Sequence, residues 1–445
     1  MKVTELKTIE KTTIRAITLN ILPLLMVGQL LMNMDRSGIG FVALDLNKEL
    51  GLSPAQFGFV AGVFFWGYFL FEIPSNFALQ KFGASKWITR ILVTWGLVTV
   101  AFATASSFKM LAVLRFLLGL AEAGFSPGMF LLCSRWLPER YRGRAVSKLI
   151  LMSAAASVLG GPLAALFLHS ANDVLGLSGW RWMFIALGAI TVGYGGVFYL
   201  LMTDNAQSAK FLNDKQKTWL AQNFETEVAE SDAKVVRHKF REALKSLSLW
   251  AYTTLYFCSA FTHFGLWLWL PQLVKSQFTG LTSAQVAVLT ALPFFCGMVA
   301  MLVFGHTSDK SGDRRWHLLA ISVAGAVSLV LSALSQDRTT SFVLLCAAVG
   351  CTYAYMVVFW PCPMRGLKGT AAVGGIALIN SVGTFGGFFG PSLFGVLKGH
   401  TGSFSIGLAM FAMFYIPMGL IPLFAPRLFA PVVVSSMAEM EAKAS

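Results

Sequence analysis

Gly305-His306-Thr307-Ser308-Asp309-Lys310-Ser311-Gly312-Asp313-Arg314-Arg315 follows directly on an apolar run of helical length. A weaker copy, Asn76-Phe77-Ala78-Leu79-Gln80-Lys81-Phe82-Gly83-Ala84-Ser85-Lys86, stands at the same place in the first half of the chain. The second copy carries Gly305, Asp309, Lys310, Gly312 and Arg314; the first keeps Lys81, Gly83 and Lys86 but has Gln80 where the acid is expected. A polar loop recurring once per half, each time after the second apolar run, is the local signature of an internal duplication.

Working outward from the two loops, apolar runs cover nearly the whole chain. They are placed at 16–45, 54–79, 86–106, 108–133, 143–170 and 179–203, then at 248–275, 283–308, 316–335, 340–364, 370–396 and 403–427. Each is long enough to cross a hydrocarbon layer of about 30 Å as a helix. The expected fold class is therefore an all-α membrane protein with 12 transmembrane helices in two six-helix halves. The expected division is an N-terminal bundle 1–203, a linker 204–247 and a C-terminal bundle 248–445. The linker is the one long polar stretch; Phe211, Leu212, Trp219 and Leu220 within it suit either a short helix on the membrane surface or a solvated connection.

Composition agrees. Of 445 residues 56% are hydrophobic and 13% charged, with mean hydropathy +0.66, against about 25% charged in soluble proteins. The net charge of +14 is a topology signal rather than a nucleic-acid footprint. With a cytoplasmic N-terminus, about 27 of the 35 Lys and Arg fall in cytoplasmic segments and roughly six in external loops. An even number of spans puts both termini on that side. The basic start followed by an apolar run lacks a small-residue cleavage site and reads as the first span. The six cysteines stand in apolar segments without a CxxC or a histidine at ligand spacing, which predicts packing roles and no metal.

Ionisable residues inside a span are costly and are functional candidates by default. They are Asp35 and Arg36 in span one, Glu72 in span two, Arg115 and Glu122 in span four, and His263 in span seven. At 1.5 Å per residue, Asp35 and Arg36 lie about 14 Å from the external end, Arg115 about 10 Å and Glu122 about 21 Å, so the four are expected to line one cavity. Arg115 and Glu122 share a helix face, with Gly119 between them allowing close approach of substrate or a neighbouring helix. Two acids and two arginines can couple an anion to a proton, because a guanidinium forks onto a carboxylate and a neutralised acid frees its arginine; static ion pairs locking spans one and four are the alternative. Glu72, placed near the cytoplasmic end of span two, is expected to tether basic loop residues around Arg140 to Arg144. His263 is either a proton relay or a hydrogen-bonded packing residue. Trp180, Trp182, Trp267 and Trp269 are expected as interfacial anchors. The glycines of span eleven, with Pro361 and Pro363 ending span ten, suit helices that pack closely and bend.

The loop pattern Gly-x-x-x-Asp-Arg/Lys-x-Gly-x-Arg/Lys resembles that of the major facilitator superfamily, as does Arg135-Trp136-Leu137-Pro138-Glu139-Arg140-Tyr141-Arg142-Gly143-Arg144-Ala145 after span four. In that family the loop tethers neighbouring helices, so Gln80 leaves the first-half tether in question. Asp35-Arg36-Ser37-Gly38-Ile39-Gly40-Phe41, Phe65-Trp66-Gly67-Tyr68-Phe69-Leu70-Phe71-Glu72-Ile73-Pro74-Ser75-Asn76 and Ala377-Leu378-Ile379-Asn380-Ser381-Val382-Gly383 look like its anion:cation symporter branch. That branch includes bacterial permeases for sugar acids, tartrate, phthalate and hydroxyphenylacetate and, more distantly, sialin and vesicular glutamate transporters. The resemblance implies proton-coupled uptake of a small organic anion across a bacterial inner membrane by a monomer without cofactor or nucleic-acid partner. It implies proton uptake at Asp35 and Glu122, coupling through Arg115, and a substrate carboxylate on Arg36 with Tyr68, Trp360 and Asn380 lining the pocket. Where sugar-acid permeases of the branch place an amide in span five this chain has Ala155, which implies a less polar wall. An antiporter or uniporter on the same fold is the alternative, and a membrane-embedded enzyme a distant one, since no catalytic motif is found.

Overall fold

The computed structural model describes residues 3–234, 244, 246–366, 370–425 and 428–429. Residues 1–2, 235–243, 245, 367–369, 426–427 and 430–445 lie outside the described residues. Helices of the first half are α1 (Val3–Asn20), α2 (Leu22–Phe41), α3 (Ala43–Leu50), α4 (Pro54–Phe82), α5 (Ala84–Ala101), α6 (Phe108–Glu122), α7 (Phe125–Trp136), α8 (Glu139–Ser170) and α9 (Gly179–Leu201). After α10 (Asp214–Lys234) come α11 (Leu247–Gln277), α12 (Ser283–Ser311), α13 (Arg314–Leu334), α14 (Arg338–Phe359), α15 (Pro361–Gly366), α16 (Thr370–Thr384), α17 (Gly386–Thr401) and α18 (Phe404–Phe424). Among the described residues eleven spans are long and apolar enough to cross a membrane, several of them joining two of these helices. The twelfth, α11, has 31 residues, and its tryptophans, tyrosines and His263 lower its mean hydropathy. The expected all-α fold is observed, and α11 is consistent with a twelfth span; the largest difference in boundaries is in span one, which starts at Glu5 rather than at 16.

Two spans are interrupted where the sequence demands it. Span one bends at Ile21, ahead of Pro23, whose nitrogen cannot donate in a helix. Span four breaks between α6 and α7 at Ala123 and Gly124, the latter at φ +88. The Ser75 hydroxyl donates to the Ala123 carbonyl at 2.6 Å and accepts from the Trp87 indole at 2.9 Å, which occupies the carbonyl freed by the break. A Cβ at position 124 would stand 2.1 Å from that same Ser75 Oγ, so only glycine fits.

The linker helix α10 is docked on the first half. Leu212, Trp219 and Leu220 are buried, Phe211 stacks on Trp136 at 5.6 Å, and Glu227 accepts from the Glu139 amide and from Arg142, both at 2.6 Å. This face of the molecule, carrying α1 and α10, is called the linker face below.

Both loop copies are tethers. In the second, the buried Arg314 donates to Asp309, to Ser308 Oγ at 3.3 Å and to the Val358 carbonyl of α14 at 3.4 Å, tying α12, α13 and α14 together. Gly312 ends α12 at φ +71, while Gly305 lies in the last two turns of α12 and Lys310 is exposed beside it. In the first copy the acid missing at Gln80 is supplied from elsewhere: Asp204, just past α9, accepts from the Ser85 amide at 2.6 Å in the first turn of α5. A carboxylate there meets unpaired N–H groups and the positive end of the helix dipole. Gly83, at φ +88, gives it room, since a Cβ would lie 2.6 Å from Asp204 Oδ2.

The halves meet on the face away from the linker. A Cβ at Gly58 would be 2.4 Å from the Pro391 carbonyl, at Gly395 2.4 Å from that of Pro54, and at Gly161 2.2 Å from that of Ala287. Ser157 Oγ accepts across this seam from Trp267 at 3.0 Å and Tyr353 at 3.1 Å. Trp180, Trp267 and Trp269 are buried, with their indoles bonded to Glu49, Ser157 and the Pro391 carbonyl. Their rings are turned into the protein rather than outward as interfacial anchors would be.

Asp204→Ala is expected to lower the stability of the purified carrier by about 1 kcal/mol through loss of the α5 cap. Thermal melts in detergent check this, with Gln80→Ala expected to leave the melting temperature unchanged.

Candidate functional site

Arg36, Tyr68 and Glu122 each stand about 21 Å along their helices from the linker-face ends of α2, α4 and α7. The three side chains meet at that level. Arg36 Nε donates to Glu122 Oε2 at 2.6 Å, with the Glu122 side chain fully buried and that of Arg36 13% exposed. The guanidinium carbon lies 4.9 Å from the Tyr68 ring centre and 5.0 Å from that of Phe64, a cation–π seating that fixes its plane. Glu122 is the last residue of α6, so the break at Ala123 decides where its carboxylate sits. Arg36 Nη2 and Glu122 Oε1 are buried without a hydrogen-bond partner among the described residues.

Arg115 is 1% exposed, 5.3 Å from the Phe64 ring, and donates to the Ala61 carbonyl at 3.4 Å; its Nε and Nη1 lack hydrogen-bond partners among the described residues. One phenyl ring thus stands against both arginines. Gly119 serves helix packing: a Cβ there would be 2.0 Å from the Phe64 carbonyl, and one at Gly67 would be 2.1 Å from that of Phe116. These reciprocal contacts press α6 against α4 and set the arginines over the ring.

Asp35 departs from the expectation that all four charges line one cavity. It points into the first bundle, accepting from Thr99 Oγ1 at 2.8 Å and from the Trp95 indole of α5, and is 0% exposed. Neighbouring positions on a helix are about 100° apart, so Asp35 and Arg36 cannot face the same way. One close ion pair, not two, forms among the four.

Glu72 does not reach the basic loop at Arg140 to Arg144. It lies about 15 Å from the linker-face end of α4, buried, and accepts from Asn380 Nδ2 at 3.1 Å and Ser381 Oγ at 3.4 Å, both on α16 of the other half. Arg140 instead pairs with Glu10 and Arg142 with Glu227. Asn380 therefore faces the site already engaged. Trp360 ends α14 and packs edge-on to Tyr256 at 4.8 Å. His263 is buried, its Nδ1 3.3 Å from Thr352 Oγ1, among Phe264, Trp267 and Tyr353. The structure does not bring it to the charged cluster.

Ser153 of span five receives two amides from span one. Gln29 Nε2 and Asn33 Nδ2 of α2 each donate to Ser153 Oγ at 3.0 Å, and Asn33 lies one turn from Arg36. Sequence reading missed Ser153, Ser157, Phe64 and Tyr256. Ser153 and Ser157, four apart in an otherwise apolar run, were a legible signal of a polar stripe; nothing in sequence marks Phe64 among 38 phenylalanines.

The chain matches the Major Facilitator Superfamily over residues 25–391. The chain belongs to that superfamily. It is 39% identical to a quinolone resistance transporter of Acinetobacter baumannii, across 90% of this chain and 91% of that one. It is 36% identical to a putative tartrate transporter of Agrobacterium vitis, across 94% and 96%. Among solved structures, a bacterial homologue of the human lysosomal transporter Spinster superposes with a TM-score of 0.74 at 17% identity, covering 92% of this chain and 96% of that one. The protein is a membrane transporter of small molecules, not an enzyme. Its superfamily fold gives the site a setting: charged groups at mid-depth between two bundles that join on one face.

Gly119→Val is expected to destabilise the carrier by roughly 1–3 kcal/mol, because the α4–α6 backbone contact has no room for a side chain. The same change pushes Phe64 off both arginines, so a ligand that raises the melting temperature of the wild type is expected to raise that of the variant less.

Proposed function

We propose that this transporter is a proton-coupled symporter that takes up a small organic anion by alternating access, with both termini cytoplasmic in a bacterial inner membrane. The substrate is a carboxylate: a sugar acid, a hydroxy dicarboxylate or an aromatic acid. The observation that carries the reading is the buried Arg36–Glu122 contact at 2.6 Å, held at mid-depth with one guanidinium nitrogen and one carboxylate oxygen left over. A guanidinium in a desolvated site binds a carboxylate strongly and bidentately, and here its occupant is an acid that a proton can neutralise. Protonation of Glu122 removes the competing charge, and Arg36 then turns its fork to the substrate.

Tyr68, Trp360 and Asn380 supply an apolar wall and hydrogen-bonding groups for the rest of the anion. Asp35, bonded to Trp95 and Thr99, is a second proton acceptor one helix away. Arg115 senses both acids across Phe64 and couples them. His263 is the next relay candidate on α11. Bundles 1–203 and 248–445 rock about the site, joined by the cytoplasmic linker 204–247, while the loops at Gly83 and at Gly305, Asp309, Lys310, Gly312 and Arg314 hold each bundle rigid. The resemblance to a putative tartrate transporter over 94% of the chain supports a hydroxy dicarboxylate.

A second reading is drug export by antiport, favoured by the 39% identity to a quinolone resistance transporter. Direction distinguishes the two. Uptake accompanied by proton entry into vesicles supports symport; uptake of substrate only against proton exit supports export.

Arg36→Ala, and equally Arg36→Lys, is expected to abolish anion binding in calorimetry on folded protein, since an ammonium does not reproduce the planar fork; near-normal affinity in either overturns the assignment. Glu122→Gln is expected to exchange substrate across proteoliposomes but not to accumulate it on a proton gradient, because a permanently neutral side chain keeps the loaded form and loses the coupling step. Retained proton-driven accumulation in that variant places the coupling proton on another group.

A further inference from the structure

The hydrogen bonds of Glu72 run from α4 in one half to Asn380 and Ser381 of α16 in the other. It is 5% exposed, one helical turn from Tyr68, whose ring seats Arg36. An anion anchored on Arg36 and extending over Tyr68 toward the second half therefore meets Glu72 before it meets Asn380. We propose that Glu72 is a specificity-determining residue that competes with the substrate for the two α16 donors and yields them when it takes up a proton. This rests on the organic-anion reading above.

Charge arithmetic supports the competition. Glu72 and Glu122 stand against Arg36 and Arg115, so the fully ionised site is neutral before any anion arrives, with Asp35 turned into the first bundle. A carboxylate substrate brings one negative charge in excess, and carboxylates crowded in a desolvated site do not all remain ionised. The groups facing Glu72 are Arg36 of α2, Tyr68 on its own helix, Tyr256 of α11 and the two neutral donors of α16, with Glu122 of α6 behind Arg36. None is a cation committed to Glu72, since Arg36 already bonds Glu122.

Protonation changes what Glu72 offers. As a carboxylate it only accepts and occupies Asn380 Nδ2 and Ser381 Oγ. As a carboxyl it has one O–H to donate. The same residue then changes from rival to ligand: the anion's oxygens take the amide and the hydroxyl, and Glu72 adds a third donor. The proton that neutralises it travels with the anion. Substrates with an acceptor placed to reach α16 from Arg36, such as the second carboxylate or hydroxyl of a hydroxy diacid, feel this competition most.

The test is isothermal calorimetry on the full-length carrier with tartrate, gluconate and benzoate as probes, from about pH 5 to about pH 8. In the wild type the dissociation constant is expected to rise with pH. In Glu72→Gln the slope of log Kd against pH is expected to fall by about one, the contribution of a single linked proton. Ser381→Ala removes one donor from the ionised carboxylate, which disfavours that form. Its loss of affinity is therefore expected to begin at higher pH than in the wild type; this arm decides the matter if Glu72→Gln does not fold. An unchanged slope in Glu72→Gln, a complete loss of binding in that folded variant, or an unshifted onset in Ser381→Ala overturns the proposal and leaves the organic-anion reading standing. Failure of the wild type to bind any of the three probes overturns both.

Discussion

The contact between Arg36 and Glu122 joins α2 to α6 through a charge-assisted hydrogen bond with almost no water around it. Removing one member of such a pair leaves an uncompensated buried charge, which costs about 3–5 kcal/mol. The surrounding structure is arranged so that the pair survives in this position. Span four stops helically at Ala123, Ser75 takes the freed carbonyl, and Gly124 adopts a backbone that other residues resist. Glu122 is thereby held at a helix end rather than inside one. Phe64 and Tyr68 then present ring faces to a guanidinium that has few other partners.

Glycines give this arrangement its rigidity within a half and its closure between halves. Gly67 and Gly119 bring α4 and α6 into backbone contact, so the helix bearing Arg115 and the helix bearing Phe64 and Tyr68 share one frame. Gly58, Gly161 and Gly395 do the same between the halves on the face away from the linker. Flat helix faces of this kind gain dispersion over many atoms and carry no side chain that must reorganise when the faces separate. Polar seams such as Ser157 with Trp267 and Tyr353 add direction to that contact. Hinge motion about a fixed mid-depth site is then compatible with two stiff bundles.

Polar groups inside the bundles repeatedly find partners that local sequence does not announce. Asp204 caps the first turn of α5, and Gln29 with Asn33 meets Ser153. In each case a buried or helix-terminal group has a requirement, and any element that reaches it can meet the requirement. Motif departures in a membrane protein are for this reason weak evidence that an interaction is lost.

The sequence by itself determined the class, the twelve spans, the doubled loop and the set of intramembrane charges, because hydrocarbon solvent penalises every exposed backbone or charged group and so leaves few arrangements to choose from. It also placed Arg36, Arg115 and Glu122 well inside the membrane, since depth follows from counting residues along a helix. Only tertiary structure decided which charges face one another. Helix rotation and crossing are set by packing, and they turned Asp35 toward Trp95 and Thr99, turned Glu72 toward Asn380 and Ser381, and kept His263 among aromatic rings. Depth is a one-dimensional quantity that the chain carries in its own spacing; azimuth depends on neighbours contributed from distant parts of the chain.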